Sequence, residues 1–550
     1  MKPFAAVLFF ALVSCAPKPA PPVPQGKAIA PELKGMGEMT FQATAQHPDA
    51  QKFVRQGLAL VYGFNHDEAA RAFREAARLD PNCAMAYWGL ALALAPNIND
   101  SIPAPEREQE AFEAITKARS LAAQAPESER AYIDALAKRF SAEKGKDRLS
   151  LNKTYAAAMK EVALKYTGDP DAQVLYADAV MNTMPWQYWG KDGRARPEIP
   201  PVIELVERTM SRWPDHTGAN HLYIHLVEAS ATPDRANEAA GRLAKLAPAA
   251  GHLVHMPAHI YLRTGRYADS MKANADAVKA DDSYLTQCRS QGLYPMAYHP
   301  HNWHFLAVSA MMLGDGTQAV DASRKMAKRI HHEVMDKKEW VTLQYYFAFP
   351  MFAMARFGQW DAILAEPQPE AKLRWSTAVY HYSRALAYIG KNQMPQASAE
   401  LAKLKTVASE PIFKELTVAG INGMAPLLDI AMLTLEGEMA AKRKDYLQAA
   451  ALLERAVRIE DGLSYTEPPD WYYPARHSLG AVLLEAGRPA EAETVFWEDL
   501  RRNPDNGWAL AGLIGSLRAQ SKTDRIDELQ NRLDKAWAKN VAKPKSSRIL

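Results

Sequence analysis

Residues 56–81, QGLALVYGFNHDEAARAFREAARLDP, decide the fold. They read as a first helix carrying Gly57 and Leu58, a turn, and a second helix carrying Ala69, Ala70, Phe73, Ala76 and Ala77, ended by Asp80 and Pro81. Small residues at these places let two helices cross closely, and a proline cannot continue a helix, so it marks the exit. Alternation of the kind that makes half-buried strands is scarce throughout the chain.

The pattern returns at 259–281, HIYLRTGRYADSMKANADAVKAD, with Gly265, Tyr267, Ala273 and Ala277. Weaker copies lie at 301–328 around Gly314, at 437–459 around Asp445 and Tyr446, and at 475–504 around Gly487, Arg488, Pro489 and Ala490. The stretches 105–190 and 338–430 keep helical spacing but lose the repeat. The unit resembles the ~34-residue tetratricopeptide repeat (TPR). The chain is therefore expected to be all-α: one continuous TPR-type solenoid of helical hairpins over 49–540, coiled into a right-handed superhelix. The blocks 64–99, 255–274 and 488–510 together look like a family of large bacterial TPR lipoproteins, distantly similar to tetratricopeptide-repeat protein 38. That resemblance strengthens the fold and implies no chemistry.

The N-terminus reads as a processing segment. Lys2 supplies a positive start, and Phe4 to Val13 form an apolar run too short for the roughly 20 residues that span a bilayer. Leu12-Val13-Ser14-Cys15 resembles a lipobox, so residues 1–15 are expected to be a lipoprotein signal with a lipid on Cys15. Residues 16–48 begin with APKPAPPVPQGKAIAP, a Pro-rich tether that cannot pack a core, and residues 541–550 read as a disordered basic tail. With Ala16 after the cysteine, the expected place is the periplasmic side of the outer membrane. Cys83 and Cys288 lie too far apart in sequence for a disulfide to be inferred.

Composition removes one class of function. With 66 basic and 63 acidic side chains the formal charge is +3, so there is no concentrated positive balance for nucleic acid. No HExxH, no Ser-His-Asp order and no Gly-rich phosphate loop is present.

The histidines carry the sharper signal. Eight of 15 fall between 221 and 304. His221 and His225 in NHLYIHLVE are one helical turn apart, with rings about 40° apart around the axis, and Glu228 shares their face. His255 and His259 in HMPAH repeat the spacing, and His301 and His304 in HPHNWHF are three apart. Counted from Gly265 and Gly314, these pairs lie in first helices of successive repeats, which line the concave groove roughly 10 Å apart. One HxxxH in a helical protein is usually one packed and one solvated ring. Three in register point to a divalent metal such as Zn, Cu or Fe, or to a small ligand, with Glu228 as the candidate base. His252 and His299 read as loop or cap residues, and His66 as a local hydrogen-bonding residue.

A distant loop adds aromatics. GLSYTEPPDWYYPAR, 462–476, offers Glu467, Trp471, Tyr472 and Arg476 as the rim of a ligand pocket, against the plainer reading of a loop packed by its own aromatics. Trp186, Tyr188 and Trp189 with Lys191 and Arg194 form a second such loop. Two functions follow. The favoured one is a membrane-tethered protein holding a metal or small ligand in its groove, with metal-dependent catalysis left open. The other is a non-catalytic scaffold of the cell envelope that grips a peptide or partner protein in that groove. The first needs histidines on the inner helices; the second needs asparagine, lysine and arginine there.

Overall fold

The computed structural model describes residues 27–143, 145–288, 294–539 and 541–550. Cys15 and the signal segment lie outside them. Helix follows helix from Pro48–Tyr62 to Ile526–Ala536, and the one sheet among the described residues pairs Thr417–Val418 with Asn422–Gly423. This is an all-α solenoid of TPR type. No described helix is long and apolar enough to cross a membrane.

The repeat has a physical basis that can be read at both ends of the array. Phe73 lies between Gly57 and Gly89: a Cβ on the first would stand 2.6 Å from its ring, and one on the second 2.0 Å. Phe496 lies in the same way between Gly480 and Gly512, with hypothetical Cβ atoms at 2.4 and 2.3 Å. In both places one aromatic ring fills the space left by two glycines on flanking helices, so the same three-residue clamp sets the packing distance. The turns between paired helices need a left-handed residue, which Gly265 and Gly314 supply at φ 76°.

The array folds back on itself. Tyr267 donates to Pro504 O at 2.9 Å, Trp508 Nε1 to Met311 O at 3.0 Å, and Tyr345 to Asp470 O at 3.0 Å. The C-terminal hairpins therefore pack against the central ones. One block of buried apolar side chains runs from Met36 to Tyr298 and a second from Ala258 to Trp537. They meet at the histidine-bearing helices.

Both ends differ from the sequence expectation. The tether does not extend to residue 48. Ile29 N–H donates to Glu75 at 2.8 Å and Thr44 N–H to Glu129 at 2.6 Å, while Phe41 stacks on Trp88 at 5.7 Å. Past Pro31 the segment carries Met36 and Phe41, which gain more from burial than from solvent. Residues 541–550 are likewise docked rather than disordered. Arg548 ion-pairs with Glu438 and Glu485, and Ser547 donates to His477 O at 2.7 Å. Glu438 is buried and a buried carboxylate needs a cation, which the basic tail provides.

Candidate metal centre

Four helices bring the histidines together. Thr217–Val227 carries His221 and His225 and is followed by Glu228. The short helix Gly251–His255 carries His252 and His255, and Pro257–Arg263 carries His259 after the break at Met256. His301 comes from His299–Met312. Ligand atoms of His221, His225 and His252 lie within 4.8 Å of one another, as do those of His255, His259 and His301. His225, Glu228 and His259 form a third such group that links the two.

The outer ring nitrogens fix the tautomers. His221 Nδ1 lies 2.6 Å from the carbonyl of Tyr62, which can only accept, so the proton is on Nδ1. His255 Nδ1 donates to Asn274 Oδ1 at 2.6 Å, and Asn274 Nδ2 donates to Ser270 O at 2.8 Å, which orients the amide. His225 Nδ1 donates to Glu228 Oε1 at 2.8 Å. His259 Nδ1 donates to Glu228 Oε2 and lies 2.8 Å from Glu467 Oε2. Every one of these four rings therefore turns its Nε2 inward. His221 Nε2 is 3.0 Å from His225 Nε2 and 3.1 Å from His252 Nε2, and His255 Nε2 is 2.7 Å from His259 Nε2. For His221 and His225, two lone pairs at such a distance repel unless a cation lies between or beside them, whereas His259, when protonated, donates its Nε2–H to His255.

The electrostatics agree with that geometry. Burial, reinforced by neighbouring imidazoles, pushes His221, His252, His255 and His301 well below the ordinary histidine range, so the rings are held neutral. His259 is the exception: burial lowers it, but Glu228 and Glu467 outweigh burial and raise it to about 10. Burial would raise Glu228, yet His259 and His225 hold it below the carboxylate range, so it is ionised. Burial and the negative charge of Glu228 raise Glu467 to about 8. Six imidazoles and two carboxylates are thus gathered in a region that accepts positive charge.

The surroundings are dry and aromatic. Phe64 packs on His221 at 4.5 Å, Trp186 meets His225 edge-on at 5.3 Å, and Phe305 covers His255 and His259 at 4.6 and 4.8 Å. Lys191 reaches Gly462 O, joining the two loops that close over the cluster. The cluster is therefore enclosed and does not line an open groove.

The structure brings His221, His225, Glu228, His255, His259 and His301 together, and it does not bring in His304. That ring packs on Phe349 at 4.5 Å and Tyr345 at 5.4 Å, so the aromatic side chains of the helix Thr342–Arg356 hold it instead. His252 is a member of the first group and not a loop or cap residue. It stands three residues before His255, so HxxHxxxH was the signal that could have found it. Glu467 reaches His259 from more than 200 residues away and Trp471 lines a cavity beside it, but Arg476 turns to Asp461 at 2.6 and 2.7 Å. A buried guanidinium takes the nearest carboxylate before it rims a pocket. Tyr62 and Asn274 left no sequence signal, since one acts through its backbone and the other is a single amide.

No family model matches the chain. A curated relative, "Cellulose synthase operon protein C" of Xanthomonas axonopodis pv. citri (strain 306), is 33% identical over 101 residues, which is 18% of this chain and 6% of that protein. The match spans only a small part of the relative's length. Among solved structures, "Human IFIT1 dimer with m7Gppp-AAAA" is 14% identical over 78% of this chain and 86% of that one, with a TM-score of 0.32. The yeast Tom70 structure is 12% identical over 88% and 92%, with a TM-score of 0.29. Likenesses at this level carry no argument about what the chain does.

Proposed function

We propose that this chain binds divalent transition metal ions at two positions inside the solenoid. The first is held by His221, His225 and His252, the second by His255, His259 and His301, and Glu228 orients a ligand of each. The observation that carries this reading is the gathering of inward Nε2 atoms: 3.0 Å between His221 and His225, whose protons both lie on the far side of the ring, and 2.7 Å between His255 and His259, where a metal would displace the second proton of His259. A carboxylate or carbonyl on the outer nitrogen is what a metal-bound imidazole ordinarily has. Three neutral imidazoles without thiolate suit Zn, Cu or Fe, and the order of divalent affinities favours copper. Three protein ligands leave a coordination position open, where a bound water or substrate oxygen would be polarised.

The test is metal content by mass spectrometry on protein prepared without a histidine tag, after reconstitution with Zn, Cu or Fe and removal of loose metal. About two equivalents per chain are expected. His221→Ala and His255→Ala should each lose about one while keeping the helical circular dichroism. A folded protein that retains no metal under any of these conditions overturns the proposal.

A further inference from the structure

Beside the second histidine group lies a cavity of about 180 Å³ that the metal reading leaves unexplained. Its body is apolar and aromatic, with Leu262, Val308, Met312, Trp471, Tyr472 and Tyr473 among the lining residues. Its polar side chains include Arg263, Tyr465 and Glu467. Arg263 is occupied, donating to Glu228 O at 3.0 Å and Ser230 O at 3.1 Å. Three others are not. Tyr465 Oη, Glu467 Oε1 and Trp471 Nε1 are buried and have no hydrogen-bond partner. The Glu467 side chain is 4% exposed and Trp471 2%. Buried polar atoms are nearly always paired, and three orphans lining one cavity call for a ligand that pairs them.

We infer that this cavity binds a monocyclic phenol, with its ring among the aromatic walls and its hydroxyl toward Glu467. The volume sets the size, since a cavity of roughly 150 Å³ lined by apolar side chains holds benzene. The orphan atoms set the polar group. Trp471 Nε1–H can only donate, while Glu467 accepts when ionised and can donate when protonated, so a group that can both accept and donate pairs the two in either state. An ammonium cannot accept from the indole, and a carboxylate meets Glu467 as a second acid. A hydroxyl does both. Because Glu467 also touches His259, the hydroxyl points at the second metal position; the inference rests on the metal reading for that orientation and not for binding itself.

The probe is phenol, with toluene and anisole as analogues, titrated by calorimetry into the full chain in metal-free and in copper- or zinc-loaded form. Phenol is expected to bind both forms. Toluene, which lacks the oxygen, should bind about ten-fold more weakly, and anisole, whose oxygen only accepts, should fall between the two. Trp471→Phe should cut phenol affinity several-fold with little effect on toluene, and Val308→Phe, which fills the cavity, should abolish both. Thermal denaturation with and without phenol gives a second reading for any variant that folds poorly. Equal binding of phenol and toluene, or phenol binding unchanged in Val308→Phe, overturns the inference. So does a metal-loaded protein that takes no phenol, a result that leaves the metal reading standing. Phenol binding to a chain that takes no metal supports the cavity and sinks only the metal centre.

Discussion

Buried histidines occur in two regions of this solenoid, and they are built in opposite ways. In the C-terminal hairpins His477 accepts at Nδ1 from Arg356 Nη2 at 2.8 Å and donates from Nε2 to Asp499 Oδ2 at 3.0 Å. Asn506 Nδ2 also donates to Asp499, and Ser547 closes the far side. Every proton has an acceptor, and the positive guanidinium answers the negative carboxylate. In the central helices the outer nitrogens of His221, His225, His255 and His259 are just as well satisfied, but His252 Nδ1 has no partner and the inner nitrogens of His221 and His225 face each other with no proton between them. Burial depth is the same in both places. The two regions therefore differ in the balance of donors to acceptors, which is closed around His477 and left open at His221, His225 and His252.

Removing His477 breaks the comparison hardest. His477→Ala strands the Arg356 guanidinium, which burial already depresses to about 10, against a cavity. Breaking one member of a buried charged network costs about 3–5 kcal/mol. Chemical denaturation should show a loss of that size, while metal content stays at the level of the unaltered chain. Loss of metal along with stability would mean that the two regions are not independent.

Glu228→Gln sharpens the contrast from the other side. Glu228 accepts a hydrogen bond from His225 and from His259 and so orients a ring of both proposed metal positions. A carboxamide can accept from one ring but presents N–H to the other. Replacing such an orienting group weakens metal binding about 10–100-fold, or roughly 1.4–2.7 kcal/mol. Competition with a chelator should show the loss at both positions, whereas His301→Ala should weaken only one. If Glu228→Gln affects a single position, the shared carboxylate is not what couples them.

The sequence revealed the parts of this arrangement that repeat and concealed those that do not. Gly57 and Phe73 mark a hairpin because small and aromatic residues recur at fixed spacing, and the copy at 475–504 is found around Gly487, whereas the clamps that Gly89, Gly480, Phe496 and Gly512 complete emerge only with the structure. His221 with His225 and His255 with His259 were legible because one helical turn aligns them. Glu467 could be assigned a pocket but not its contact with His259, since that depends on the array curling back across more than 200 residues. His252 was hidden by the irregular backbone at Met256 and Pro257, which splits one helix into two. Arg548 was read as tail because charge alone does not show that Glu438, 110 residues earlier, is buried and waiting for a cation.

His304 tests whether the balance argument also identifies a histidine that does neither job. Its ring is enclosed by Tyr345, Tyr346 and Phe349, and its Nε2 has no partner. Burial lowers it to about 3, so the folded chain refuses a proton that the unfolded chain binds below its ordinary value of 6.5. The sign follows from that difference. Stability is unaffected above pH 6.5 and is lost as pH falls toward 3, by up to about 1.4 kcal/mol per pH unit. In metal-free protein His304→Phe should remove one proton's share of that slope, since the central histidines titrate alike in both chains and cancel. Denaturation midpoints compared from pH 7 to 4 measure it. Parallel curves would mean that His304 keeps its proton in the fold, and a fall in metal content would return it to the proposed ligands from which its aromatic surroundings exclude it.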